Sequence, residues 1–194
     1  SFDLGSNIRD ANLKTDFYYN LNNRHEIRFG GGVTYHQFEV GRLKAGSTDG
    51  SVSFSGGDDF DGTEFGLYAS DDFKATDRLT MNYGLRLSGF TNDGTTYLGV
   101  EPRFATNFAV NDRFSLKGSY ARMMQYVHLI SNSGIALPTD IWYPSTAAVK
   151  PQISDQIAIG GSHLLGKNWF INNEYYFKYL QIHENKLYMY LMIR

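Results

Sequence analysis

Between residues 79 and 125 the chain alternates apolar and polar side chains one for one through three successive segments. Leu79, Met81, Tyr83, Leu85 and Leu87 interleave with Thr80, Asn82, Gly84, Arg86 and Ser88. Leu98, Val100, Pro102, Phe104, Thr106 and Phe108 then interleave with Gly99, Glu101, Arg103, Ala105 and Asn107, and Phe114, Leu116 and Tyr120 oppose Ser115, Lys117 and Ser119. A period of two belongs to a β-strand with unlike faces, because successive side chains leave a strand on opposite sides. Charges stand in mid-strand on one face and are nearly absent from the other. Strands of soluble proteins average about 5–6 residues, whereas these run to about 10–12, the length a tilted strand needs to cross a bilayer. The pattern predicts an all-β fold: an antiparallel meander of the transmembrane β-barrel kind.

Composition narrows the function classes. The 194 residues include 20 Gly, 4 Pro and no Cys, with 15% aromatics, which suits long strands, tight turns and aromatic girdles. The longest apolar run, residues 187–193, falls far short of the roughly 20 residues of a membrane-spanning helix, which excludes a helical membrane protein and leaves a barrel open. Without Cys there is no disulfide and no thiolate metal site. A net charge of −2 offers no basic footprint for nucleic acid. Ser1-Phe2-Asp3-Leu4 lacks the basic and apolar regions of a signal peptide, as expected of a matured chain or of a piece of a longer one.

Taken in order, the chain reads as about eight long strands. The first covers residues 10–21 and the second residues 25–40, with Gly30-Gly31-Gly32 inside it predicting strand coiling or close backbone approach. A polar connection is expected over residues 41–62. A third strand follows over 63–74, where Asp71 interrupts the apolar face and is expected near the membrane boundary. The three segments already described come next, with a moderate loop at 92–95. A long loop is expected over 126–150, then strands at 152–164 and 169–180. Tight turns follow strands one, three, five and seven, and longer connections mostly follow the even ones. Outer-membrane barrels sort short turns to one rim and longer loops to the other in this way.

The run YLGVEPRFATNFAVNDRFSLKGSYARMMQYVHLISNSGIALPTDIWYPSTAAVKPQISDQIAIGG resembles the later barrel strands of TonB-dependent outer-membrane receptors, particularly of Bacteroidetes type. Its most specific pieces are EPRF, NDRFSLKGSY, SNSGIALPTDIW and KPQ, and EYYFK at 174–178 is similar to a strand that follows in that family. The resemblance implies part of a plugged barrel of about 22 strands, and so an open piece of a larger barrel. It further implies a non-enzymatic importer of a scarce nutrient in the outer membrane of a Gram-negative bacterium. Its partners would be outer-membrane lipid, a plug domain, the TonB complex and a small-molecule, peptide or glycan ligand, with no cofactor. Residues 1–180 are read as the partial barrel. Residues 181–194, where the resemblance is lost, are read as an atypical tail. Two other readings stand beside it: a self-contained small barrel with a structural or adhesive role, and a soluble β-domain that binds glycan or protein.

Candidate residues follow from the faces. Glu26, Arg28, Glu64, Arg86, Glu101, Arg103, Lys117 and Glu174 are expected to face the lumen, as a substrate path or, more simply, as a cross-strand-paired polar wall. In the long loop His128, Asp140, Trp142 and Tyr143 are the candidates for ligand contact, against a self-packed lid suggested by Pro138 and Pro144. Asp58, Asp59, Asp61 and Glu64 offer oxygens for Ca²⁺ without the spacing of a calcium loop. The five histidines have neither metal nor catalytic spacing. Arg122 shares the parity of Tyr120, so either a bulge intervenes or the residue lies beyond the membrane. The barrel reading carries a simple test. The protein is expected to stay monodisperse only in detergent or bilayer, because its apolar faces form one exposed band; monodispersity in detergent-free buffer would favour the soluble domain.

Overall fold

The computed structural model describes residues 2–46, 53–131, 140–166, 169–182 and 186–193. The strands are β1 (Phe2–Asn22), β2 (His25–Gly46), β3 (Ser53–Lys74), β4 (Leu79–Asn92), β5 (Thr95–Asn111), β6 (Phe114–Gln125), β7 (Val127–Ser131), β8 (Asp140–Pro144), β9 (Gln152–Leu165), β10 (Trp169–Ile182) and β11 (Lys186–Ile193). Nine of them form one antiparallel sheet in the order β1-β2-β3-β4-β5-β6-β9-β10-β11, and β7 and β8 pair only with each other. The meander is as expected, with longer strands. β1, β2 and β3 span 21 to 22 residues, about twice what a bilayer crossing needs.

The alternation maps onto two continuous faces. Tyr19, Ile27, Asp71, Tyr83, Phe104, Tyr120, Ile157 and Phe177 stand in one register row across eight strands. That row begins three residues before the end of β1 and ends eight residues into β10, so the strands are staggered steadily in one direction. Such a stagger is the tilt a barrel wall requires. The apolar face stays open: Leu87 is 50% exposed and Ile159 62%. A contiguous apolar surface of this extent is a lipid-facing surface. The opposite, polar face lines two hollows of about 970 and 670 Å³.

Turn chemistry fixes the rims. Asn22 Oδ1 accepts hydrogen bonds from the Arg24 and His25 amides, Thr76 Oγ1 from those of Arg78 and Leu79, and Asn111 Oδ1 from that of Arg113. These side chains close the tight turns by standing in for a backbone acceptor. At the other rim Asp93 and Gly94 both have positive φ (42° and 74°), as a two-residue hairpin turn of type I′ requires. The β4–β5 connection is therefore tight, where a moderate loop was expected.

Other expectations are corrected. Most of residues 41–62 is strand: β2 continues to Gly46, β3 starts at Ser53, and 47–52 lie outside the described residues. Asp58, Asp59 and Asp61 thus alternate across β3, opposite Val40, Glu39 and Gln37. Asp59 and Asp61 fall on one face and Asp58 and Glu64 on the other, so the four do not converge on one ion, and no metal-ligand group occurs among the described residues. Arg122 needs no bulge: β6 and β9 keep register through Tyr120↔Ile157 and Arg122↔Asp155. Its guanidinium holds Asp155 at 2.8 and 3.0 Å near the loop rim. Asp71, three residues from the turn end of β3, accepts from the Tyr83 hydroxyl (2.7 Å) and bonds His25 Nδ1 (2.6 Å), both through Oδ2, which partners one of its oxygens on the apolar face. Within the segment read as a tail, β11 pairs with β10 from Ile182↔Lys186 to Tyr175↔Ile193.

Gly30 shows why the glycine run is there. A Cβ on it would overlap the Thr15 carbonyl oxygen and lie 3.1 Å from the Tyr68 ring, which crosses Gly30 to reach Asp16 on β1. Gly118, by contrast, has nothing nearer than 3.6 Å. Gly30→Ala in the full-length protein is expected to cost about 1–3 kcal/mol by overpacking against backbone, seen as less folded, heat-modifiable protein in outer membranes. Gly118→Ala is expected to leave that amount unchanged, and equal effects would contradict this packing.

Candidate functional site

Among the large apolar side chains in the polar register, Phe38 on β2 and Phe90 on β4 stand apart. Both are almost wholly buried, a rarity in a sheet whose aromatics are mostly exposed. What covers Phe90 comes from the far end of β6. The β5–β6 ladder ends at Arg103↔Ala121. Pro102, next in line opposite Arg122, has no N–H to contribute. β6 continues against β9 alone through Gln125, and the chain then turns inward at Tyr126.

Tyr126 stacks on Phe90 at 5.5 Å and 10°, and its hydroxyl shares a 2.8 Å hydrogen bond with Ser88 Oγ. Burial pushes its phenol above the usual value, so the group stays a neutral donor and acceptor. The β7–β8 hairpin that follows is closed at its base by the Ser145 amide on the Tyr126 carbonyl (2.7 Å) and by His128 Nε2 with Ser145 Oγ (3.0 Å). Tyr143 meets Phe60 of β3 edge-on at 5.3 Å, and the Tyr97 hydroxyl donates to the Thr146 carbonyl at 2.8 Å. The hairpin thus runs from the β6 end back against the inner side of β3.

Two glycines make the seat. A Cβ on Gly62 would stand 2.5 Å from the Phe90 ring, and one on Gly99 would overlap the Met124 sulfur and lie 3.1 Å from the Tyr126 hydroxyl. Each glycine is the floor on which a neighbouring side chain lies flat. Burying an aromatic side chain of this kind stabilises by roughly 1.5–3 kcal/mol, more than a typical surface ion pair, at about 0–1 kcal/mol.

Below the seat a polar row crosses five strands. His36 Nδ1 bonds Asp10 at 2.8 Å, and its Nε2 stands 4.0 Å from Glu64. Arg86 lies over Gly66, donates to Glu64 at 3.2 Å and stands 3.9 Å from Glu101, and Arg103 reaches Glu101 at 3.6 Å. Glu101 is 3% exposed. Nearer the turns, Arg28 holds Glu26 (2.7 Å) and Asp72 (2.9 Å). Lys117 and Glu174 line the larger hollow on either side of Gly160. Glu26, Arg28, Glu64, Arg86, Glu101, Arg103, Lys117 and Glu174 all lie in the polar register of their strands, the first six of them in these two groups of ion pairs.

The four loop candidates divide. His128 is buried and holds the base of the hairpin. Tyr143 packs on the wall. Trp142 is exposed, paired in register with exposed Leu129. Asp140 opens β8, and its side chain lies outside the described residues. Phe38, Phe90, Ser88 and Tyr126 were missed. The available signal was an aromatic in the polar register, at positions 38 and 90.

A staggered antiparallel wall with an apolar outer face, a polar inner face and a hairpin folded inward from the loop rim is the wall of an outer-membrane β-barrel. The family model described as TonB dependent receptor-like, beta-barrel matches residues 1–181, and the chain belongs to that family. It is part of the barrel domain of a TonB-dependent receptor, a protein of the Gram-negative outer membrane. In fold it is similar to the FrpB iron transporter of Neisseria meningitidis (TM-score 0.65, 15% identity, 91% of this chain and 29% of that one). It is likewise similar to the ferric enterobactin receptor PfeA of Pseudomonas aeruginosa (0.61, 16%, 91% and 27%). A third is the siderophore receptor PirA of Acinetobacter baumannii (0.52, 14%, 97% and 31%). The chain thus spans less than a third of the length of these structures. No curated protein matches it in sequence.

The seat has a measurable strength. Phe90→Ala is expected to destabilise the full-length receptor by about 3 kcal/mol or more through the cavity it leaves, and Ser88→Ala by about 1 kcal/mol through one lost hydrogen bond. Both would appear as a lower temperature for loss of the folded band in heat-modifiability gels, in that order; the reverse order would contradict the seat.

Proposed function

We propose that this chain is part of the wall of an importer that captures a scarce nutrient outside the cell and passes it across the outer membrane with energy from the TonB complex. Family membership over residues 1–181 carries the reading. The polar inner face with its two hollows is chemically suited to a solvated ligand and to a plug domain held against paired charges. An iron transporter and two siderophore receptors among the structures of similar fold make ferric siderophores the first ligand class to try. In this reading the outer apolar band anchors the barrel in lipid. The ion-paired row from His36 to Arg103 supports the plug, and Trp142 and Leu129 offer apolar contact to ligand near the loop rim.

The test uses the full-length gene in its host under iron limitation, with uptake of radioactive iron supplied as a panel of ferric catecholate, hydroxamate and carboxylate siderophores. Uptake of at least one is expected to depend on both this gene and an intact TonB complex. Gene-dependent uptake that persists without TonB, or growth on vitamin, peptide or glycan alone, would contradict the siderophore importer.

A further inference from the structure

We propose that the β7–β8 hairpin is a fixed ledge of the barrel wall, seated before any ligand arrives, and not a lid that swings in to cover one; this rests on the importer reading and sharpens it. The five largest fully buried side chains among the described residues are Tyr126, Phe38, Phe90, Pro144 and Ser145. Every one belongs either to the hairpin base or to the wall beneath it. Elements that open and close are drawn from the least stable parts of a protein, with few buried apolar contacts and solvated hydrogen bonds. This element has the opposite character. Swinging it out would separate the Tyr126–Phe90 stack, break the Tyr126–Ser88 bond and free Tyr97 from Thr146.

The fit is made from both sides. Gly62 and Gly99 leave room that any Cβ would fill, the one for Phe90 and the other for Met124 and Tyr126. Two separate glycines shaped to one closed arrangement belong to a permanent contact. All of these contacts are within the chain, so none needs a ligand to form. The hairpin's two sides differ accordingly. His128 and Tyr143, paired in register, face the base and the wall; Leu129 and Trp142, the next pair, are 47% and 38% exposed. A fixed ledge holds that second pair in a constant position, a preformed apolar shelf that costs no loop ordering when a ligand with a planar or apolar part binds it.

The experiment is hydrogen exchange on the full-length receptor in nanodiscs with no siderophore added, so that ledge and importer can fail separately. Peptides covering residues 127–131 and 140–145 are expected to exchange as slowly as those of β4 and β5; exchange within seconds would overturn the ledge. Tyr126→Ala is expected to speed exchange in these peptides roughly tenfold or more by unseating the hairpin, with β1 to β3 unaffected. Tyr126→Phe keeps the ring stack, guards against a variant that fails to fold, and is expected to retain most of the protection. Unchanged exchange in Tyr126→Ala, or protection lost only together with that of the whole sheet, would overturn the proposal.

Discussion

Within a bilayer there is no water to take up an unpaired backbone amide or carbonyl, so each strand must find its hydrogen bonds on its neighbours. Everything else in this chain follows from that ladder. It sets the period of two, because a laddered strand presents its side chains alternately to lipid and lumen. It demands tight turns, since long excursions at the turn rim gain nothing. The steady stagger from Tyr19 to Phe177 is the same ladder wound at a tilt. Above Arg103↔Ala121, beside Pro102, the β5–β6 ladder ends, and there the chain leaves the wall and turns inward.

Glycine gives this wall its second layer of order. Long side chains on a pleated surface normally stand up from it. Here Tyr68 lies over Gly30, Arg86 over Gly66, Phe90 over Gly62 and Met124 over Gly99. Lying flat, they reach partners that upright side chains would miss: Asp16, Glu64, His36 and Tyr126. Entropy is lost when glycine is ordered in a strand; the return is a lumen face stitched across strands without bulk that would fill the hollows.

How much was legible in the sequence depends on how local the cause is. Strand identity, face assignment and the tight turns were legible because they rest on alternation and on residues such as Asn22, Thr76 and Asn111 that act within three positions. The eight charged candidates fall in the polar register for the same reason. Strand ends were not legible: the Gly-, Ser- and Asp-rich stretch that reads as a loop is held as strand by its partner β2, a tertiary effect that overrides composition. Nor was the role of His128, which depends on Ser145 seventeen residues on. The hairpin seat was half legible. Phe90 and Phe38 carried a signal that was missed, an aromatic in a polar register, but only the fold brings Tyr126 across to meet Phe90.

The central claim is that odd-numbered residues of β4 face lipid and even-numbered ones face the lumen of an outer-membrane barrel. Nitroxide labels placed singly from Leu79 to Phe90 in the full-length receptor, reconstituted in bilayers, test it most directly. Oxygen accessibility is expected to peak at Tyr83, Leu85 and Leu87 and to fall at Asn82, Gly84, Arg86 and Ser88, with a water-soluble nickel reagent reaching none of the three odd positions. Nickel access at all of them, or the opposite phase, would contradict both the membrane face and the lumen assigned here.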